Sequence, residues 1–260
     1  MNRDFGLISI IMAAYNAEHT IEEAINSVIN QTYTNWELIV VNDCSSDNTV
    51  NLVENFCKND IRIKTVNNSF NSGASKTRHN GLVRAAGSWI AILDSDDIWV
   101  SDKLEKQIKL QKETNAELIF TGSSFINDKG MHLPWILHVP KKIFYNQLLK
   151  QNIISNSSVL VKKELYEKYE AIGDNIHEDF ACWLKILKTG VCAYGIDEPL
   201  LIYRISSNSK SGNKIKSTFM NWNTYRYIGL NVFTSFYYEM HYIINGILKY
   251  KNLNQKIAIT

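Results

Sequence analysis

Four short apolar runs, at residues 7–12, 36–41, 61–66 and 90–93, punctuate the first hundred positions, and the intervals between them carry helical patterns. Residues 18–30 repeat Ile21, Ala24, Ile25 and Val28 at helical spacing, and Val50, Leu52, Val53 and Phe56 supply the face of a second helix. Residues 74–86 form a third helix behind the loop NNSFNSG. A βαβαβαβ series predicts an α/β fold with a mostly parallel sheet and right-handed crossovers. Ligands of such sheets sit beyond the carboxyl ends of the strands. The polar loops at 14–18, 42–48 and 94–97 all fall at that edge, so they are expected to share one site.

After Trp99 the rhythm changes. A charged amphipathic helix is expected at 101–114, with Leu104, Ile108 and Leu110 as apolar positions. Strands at 117–121 and 159–162 are separated by a long irregular segment containing Pro134 and Pro140. A helix at 178–187 and strands at 191–194 and 200–205 follow. With no repeat or low-complexity linker, the expected division is 1–100 and 101–212 as two halves of one domain, with 213–260 as an extension. The formal charge of +2 on 260 residues gives no general attraction to nucleic acid. Cys44, Cys57, Cys182 and Cys192 show no CxxC spacing, which points to reduced thiols rather than zinc ligands or disulfides. The first residues lack the h-region of a signal peptide, so cytoplasmic residence is expected.

The loops carry the chemistry. In ILDSDDIW, Asp94, Asp96 and Asp97 repel one another and call for a cation or hydrogen-bond donors. Hard oxygen ligands suit Mg²⁺ or Mn²⁺ with substrate phosphates as co-ligands. Alternatively, Ser95 or Asp97 caps the helix that follows. In AAYNAE, Tyr15 offers a flat face and Asn16 hydrogen bonds to a base or ribose, unless Asn16 only caps a helix. Asp43, beyond the second strand, can accept from a pyrimidine N3–H, whereas Asp47 reads as a turn or cap residue. In NSGASKTRHNG, Gly73 permits a tight approach and Lys76 reads as a surface residue. Arg78 can pair with a diphosphate or with the loop carboxylates. Together these groups equip a site for a nucleotide diphosphate. Phosphate-loop and dinucleotide fingerprints are absent from the sequence.

The series ISIIMAAYNAE, ELIVVNDCSSDNT, NSGASKTRHNG and ILDSDD, followed by HEDFACWLKIL, resembles the family 2 inverting glycosyltransferases of GT-A fold, over residues 6–211. The resemblance implies a Rossmann-like, mostly parallel central sheet flanked by helices, with a helical C-terminal extension. It also implies sugar transfer from a nucleotide-sugar donor with inversion. Carried over, Ala14, Tyr15, Glu18, Asp43 and Arg78 surround the uridine, and Asp94 with Ser95 meets the ribose or sugar. Asp96 then holds the metal, and Asp179 is the catalytic base. Inverting transfer needs one base for the acceptor proton and a cation for the departing diphosphate. Glu178 competes with Asp179 for the first role and His177 is a weaker candidate; either acid could instead cap the helix. The sequence departs from the family pattern at Asn42 and Cys44, which replace an acid and a glycine. At Ser206 many relatives have a metal-binding histidine. Arg204, Ser209 and Lys210 could close over the diphosphate as a lid.

Residues 215–250 mix aromatic residues such as Phe219, Trp222, Phe233 and Tyr237 with basic neighbours, too interrupted by polar residues for a membrane span. They suit an interfacial helix on an anionic membrane, or a helical pair that packs on the domain or forms a homodimer. The resulting expectation is a UDP-hexose or UDP-N-acetylhexosamine donor and a bacterial glycan acceptor on a polyprenyl-diphosphate or lipid A-type carrier, at the inner face of the cytoplasmic membrane. A nucleotidyltransferase and a non-catalytic nucleotide-sugar-binding scaffold are the competing readings.

Overall fold

The computed structural model describes residues 5–205 and 214–257, with 214–215 and 246–257 as backbone. Its first part alternates β1 (Ile8–Ala14), α1 (Ile21–Ile29), β2 (Trp36–Asn42), α2 (Thr49–Asn59), β3 (Ile63–Asn67), α3 (Ala74–Leu82) and β4 (Trp89–Ile92). There follow β5 (Ile98–Trp99), α4 (Lys103–Thr114), β6 (Leu118–Asn127), β7 (His132–Leu137), β8 (Lys142–Ile143) and α5 (Tyr145–Leu148). The chain continues through β9 (Leu160–Lys162), α6 (Lys163–Tyr169), α7 (Glu178–Leu187), β10 (Ala193–Ile205), α8 (Lys214–Tyr227) and α9 (Val232–Ile257).

One sheet runs in the order β3-β2-β1-β4-β9-β6-β10-β5. The pairs β1–β2, β2–β3, β1–β4 and β6–β10 are parallel, while β9 lies antiparallel to both β4 and β6. This is the α/β, mostly parallel sheet that the apolar runs predict. β1 shows why those runs are so uniformly apolar. Ile8, Ile10 and Met12 pack into one layer and Ile11 into the other, because helices cover both faces. Gly81 lets α3 lie directly on the sheet, since a Cβ there would stand 2.8 Å from Ile11 Cγ2.

Two expectations change in detail. The strands expected at 191–194 and 200–205 are one strand, β10, whose register against β6 shifts on either side of Pro199. Proline has no N–H for the ladder, and the bulge absorbs the loss. The segment expected to be irregular contains β7, an edge strand in which Pro134 breaks no central ladder. The C-terminal extension packs on the domain. Tyr225 is fully buried, its ring edge-on to Phe180 of α7, and its hydroxyl donates to Leu149 O at 2.6 Å. No helix among the described residues is long and apolar enough to cross a membrane.

Candidate active site

The loops after β1, β2 and β4 converge as the topology requires. Asp43 N donates to Ala14 O at 2.8 Å and Leu93 N to Ile11 O at 3.1 Å, which brings the three strand ends level. The first two loops are laced together. Asn16 Oδ1 accepts from Ser46 N at 2.9 Å, and Glu18 Oε2 accepts from Asn48 N at 2.9 Å. Asp47 accepts from Glu18 N and from both Thr49 N and Oγ1, so it is the turn residue that its position suggests. Tyr15 is left 54% exposed at the rim, with Ala14 buried beneath it. Cys44, where the family pattern has glycine, sits at φ +65°, a left-handed conformation that costs an L-residue about 1 kcal/mol.

Asp43 is only 4% exposed. Its Oδ1 accepts from Asn68 Nδ2, Ser72 N and Ser72 Oγ, and its Oδ2 accepts from Gly73 N at 2.9 Å. Burial pushes its carboxyl up, but this ring of donors outweighs burial and holds it below the usual carboxylate range. Asp43 therefore anchors the loop that precedes α3. Gly73, at φ +81°, makes that anchorage possible.

Arg78, on α3, is the hub. Its Nη2 donates to Asp94 Oδ1 at 2.7 Å and its Nη1 to Glu178 Oε1 at 3.0 Å, joining the acidic loop to the start of α7. The amide oxygen of Asn156, turned toward it, accepts from Nη2 and Nε at 3.2 and 3.3 Å. Burial works against the guanidinium charge, but Asp94 and Glu178 more than restore it. Of the two partners open to Arg78 from sequence, the loop carboxylates are the ones it meets here.

The acidic loop splits its carboxylates three ways. Asp94 takes Arg78, and its backbone N–H donates to Ser157 Oγ. Asp97 is buried and accepts from Arg204 N at 3.0 Å, so it braces β10 rather than capping a helix. Burial, then Asp96 and Asp94, raise the Asp97 carboxyl well above its ordinary value. Among the described residues the Asp96 carboxylate has no hydrogen bond to either arginine side chain; Arg204 meets only its backbone oxygen. Burial and the neighbouring Asp94 push its carboxyl up to about 6. Ser95 is half-buried between them. A loop with that much uncompensated negative charge fits a divalent cation. No cluster of three or more metal-ligating side chains occurs among the described residues. A cation at Asp96 would therefore take most of its ligands from donor phosphates and water, as Mg²⁺ and Mn²⁺ commonly do.

Asp179 lies in the first turn of α7, half-buried. A space of about 10 Å³, roughly that of one water, is lined by Arg78, Asn156, Tyr166, Glu178 and Asp179 among others. Burial and adjacent Glu178 raise the Asp179 carboxyl above its ordinary value. Glu178 is held by Arg78, whereas Asp179 has no arginine or lysine ion pair among the described residues. His177 N donates to Thr224 Oγ1 and its Nε2 lies 3.2 Å from Ser217 O, so that histidine ties α7 to α8. Arg204 is buried, with Nε donating to Asp96 O and Nη2 to Glu23 Oε2 at 2.5 Å. Ser209, Lys210 and Ser206 lie outside the described residues. Asn156, Ser157 and Glu23 are site residues that the sequence does not signal, since they approach from distant segments and belong to no motif.

A family model described as glycosyl transferase family 2 matches residues 9–171. The chain belongs to glycosyltransferase family 2. Among this family's members, the Escherichia coli enzyme named UDP-Glc:alpha-D-GlcNAc-diphosphoundecaprenol beta-1,3-glucosyltransferase WfgD is 39% identical over 252 residues. That match covers 95% of this chain and 97% of WfgD. The fold is shared with S. aureus TarS 1–349 in complex with UDP-GlcNAc, at a TM-score of 0.67 and 20% identity over 88% of this chain and 69% of that one. It is also shared with the mannosyltransferase PcManGT from Pyrobaculum calidifontis in complex with GDP-Man and Mn²⁺. There the TM-score is 0.66 and the identity 18%, over 85% of this chain and 64% of that one. As a family 2 glycosyltransferase, this chain is an enzyme, and WfgD is named for glucosyl transfer to alpha-D-GlcNAc-diphosphoundecaprenol.

Proposed function

We propose that this glycosyltransferase moves a hexose or N-acetylhexosamine from a UDP-sugar to a hydroxyl of a polyprenyl-diphosphate-linked glycan, with inversion in a single displacement. The observation that carries this reading is how Arg78 is shared. By engaging both Asp94 and Glu178, it leaves the Asp96 and Asp179 carboxylates without an arginine ion pair among the described residues; Asp96 would then serve the donor and Asp179 the acceptor. Asp179, its carboxyl raised by burial, is poised to accept the proton of the attacking hydroxyl. Asp96 would hold Mn²⁺ or Mg²⁺, and the bound cation would offset charge on the leaving diphosphate. Tyr15, Glu18, Asp43 and the rim of Ala14 would receive the uridine, and Ser95 with Asp94 the ribose or sugar. Residues 1–100 then serve the donor and 101–212 the acceptor. Such an acceptor places the protein at the inner face of the cytoplasmic membrane.

The donor half of this reading is supported by the UDP-GlcNAc named for TarS and the UDP-Glc named for WfgD. Calorimetric titration with UDP, GDP and UDP-sugars, with and without Mn²⁺, tests it. The expected result is UDP binding that needs the metal and is lost in Asp96→Ala. A folded protein that binds no nucleotide would overturn it.

A further inference from the structure

The α8–α9 hairpin has two apolar faces, and the domain uses one. On α9, Tyr238 and Tyr242 pack inward against Tyr225 and Phe180, and Ser235 and Glu239 are buried beside them. The opposite side should be polar if it only met water. Instead Phe233, Phe236, Tyr237, Met240 and Ile244 recur there at helical spacing, with Phe233 87% and Phe236 60% exposed. An apolar stripe of this kind marks an interaction site.

The charge beside it selects the occupant. From residue 214 onward the sequence has six Lys or Arg and a single acid, Glu239, whose side chain is buried. At the turn that joins the helices, Tyr169, Lys185, Lys188 and Tyr227 line a cleft of about 300 Å³. The ammonium groups of Lys185 and Lys188 meet carbonyl oxygens there, Glu170 O and Ile228 O, each at 3.4 Å, rather than carboxylates. Apolar residues flanked by lysines match a surface of acyl chains and phosphate headgroups. A second copy of the same basic face would repel this one.

We infer that the exposed face of α9, with Lys185 and Lys188 beside its first turn, docks the enzyme on an anionic phospholipid bilayer. The surface is read from the hairpin alone; its purpose rests on the lipid-linked acceptor proposed above. The hairpin is bonded through Thr224 and Ser217 to His177, the residue before α7, so docking there would set the base at a fixed height above the bilayer.

Flotation of the full chain with vesicles of phosphatidylglycerol and phosphatidylethanolamine, against phosphatidylcholine alone, tests the inference. Binding is expected to the anionic vesicles, weakened by high salt and weaker to neutral ones. Phe233→Ser with Phe236→Ser should lower it about tenfold or more, and Lys185→Gln with Lys188→Gln should remove most of its salt dependence. UDP titration with Mn²⁺ on each variant separates this surface from the donor site. Unchanged UDP binding beside lost flotation supports docking. Failure of the folded wild type to float would overturn it, as would full flotation of the phenylalanine variant. A dimer that the phenylalanine variant dissociates, without vesicle binding, would assign the face to a second copy and overturn it too.

Discussion

The loop after β4 and the first turn of α7 both confine adjacent carboxylates, and both depend on Arg78. In the loop, Arg78 takes Asp94 and the backbone of Arg204 takes Asp97, which leaves the Asp96 carboxylate beside Asp94 with no arginine hydrogen bond among the described residues. In α7, Arg78 takes Glu178 and leaves Asp179, whose carboxyl is raised chiefly by burial and by one neighbour. The first remainder is surplus negative charge suited to a cation. The second is one carboxylate beside a small gap at a helix start, the arrangement proposed above for a base. Identical side chains acquire different chemistry from what their neighbours have already claimed. Glu239 supplies the contrast: burial pushes its carboxyl up to about 7, yet it faces Asn221 between two helices and serves no site. A raised carboxyl marks function only where a cleft adjoins it.

The strongest way to break this arrangement is Arg78→Met. It strands Asp94 and Glu178 together, and loss of one partner from a buried ion pair costs about 3–5 kcal/mol. Denaturant unfolding should show that loss at pH 8. Asp96→Ala should act on one side alone, abolishing the Mn²⁺-dependent UDP binding that calorimetry detects. The other side is sharpened by a pH–rate profile. Asp179 must be ionised to act, so the rate should fall as pH drops through its raised pKa, above the usual carboxylate range. Glu178→Gln removes the adjacent negative charge, so this limb should move to lower pH. The smallest effect belongs to the contrast case. The fold favours neutral Glu239, so its contribution is full below its unfolded pKa and lost as pH rises toward 7. Glu239→Gln should raise Tm at pH 8, by about 2–4 °C for each kcal/mol gained, and leave it unchanged at pH 4.5.

The first hundred residues were readable because their signals are local. Apolar runs covered on both faces by helices, and loops that follow strand ends, are consequences of sequence spacing, and they locate Tyr15, Asp43 and Asp94 at one edge. The contacts that assign roles are not local. Arg78 and Glu178 lie a hundred positions apart, and Asn156 reaches Arg78 from a stretch of polar residues that matches no pattern. Whether Glu178 or Asp179 is the free acid follows from side-chain direction at a helix start, which neighbouring positions in a sequence do not encode. β7 and the continuity of β10 were hidden for a related reason: edge pairing and a bulge at Pro199 depend on the partner strand more than on the run itself.

The central claim is that Arg78 divides the two acids of α7 into a positioning residue and a base. Transfer rates of Asp179→Asn and Glu178→Gln, measured with saturating UDP-sugar and Mn²⁺, test it most directly. The expected result is a fall of about 10²–10⁴ in kcat for Asp179→Asn, with UDP binding retained, and a smaller fall for Glu178→Gln. Full turnover by Asp179→Asn beside an inactive Glu178→Gln would contradict it.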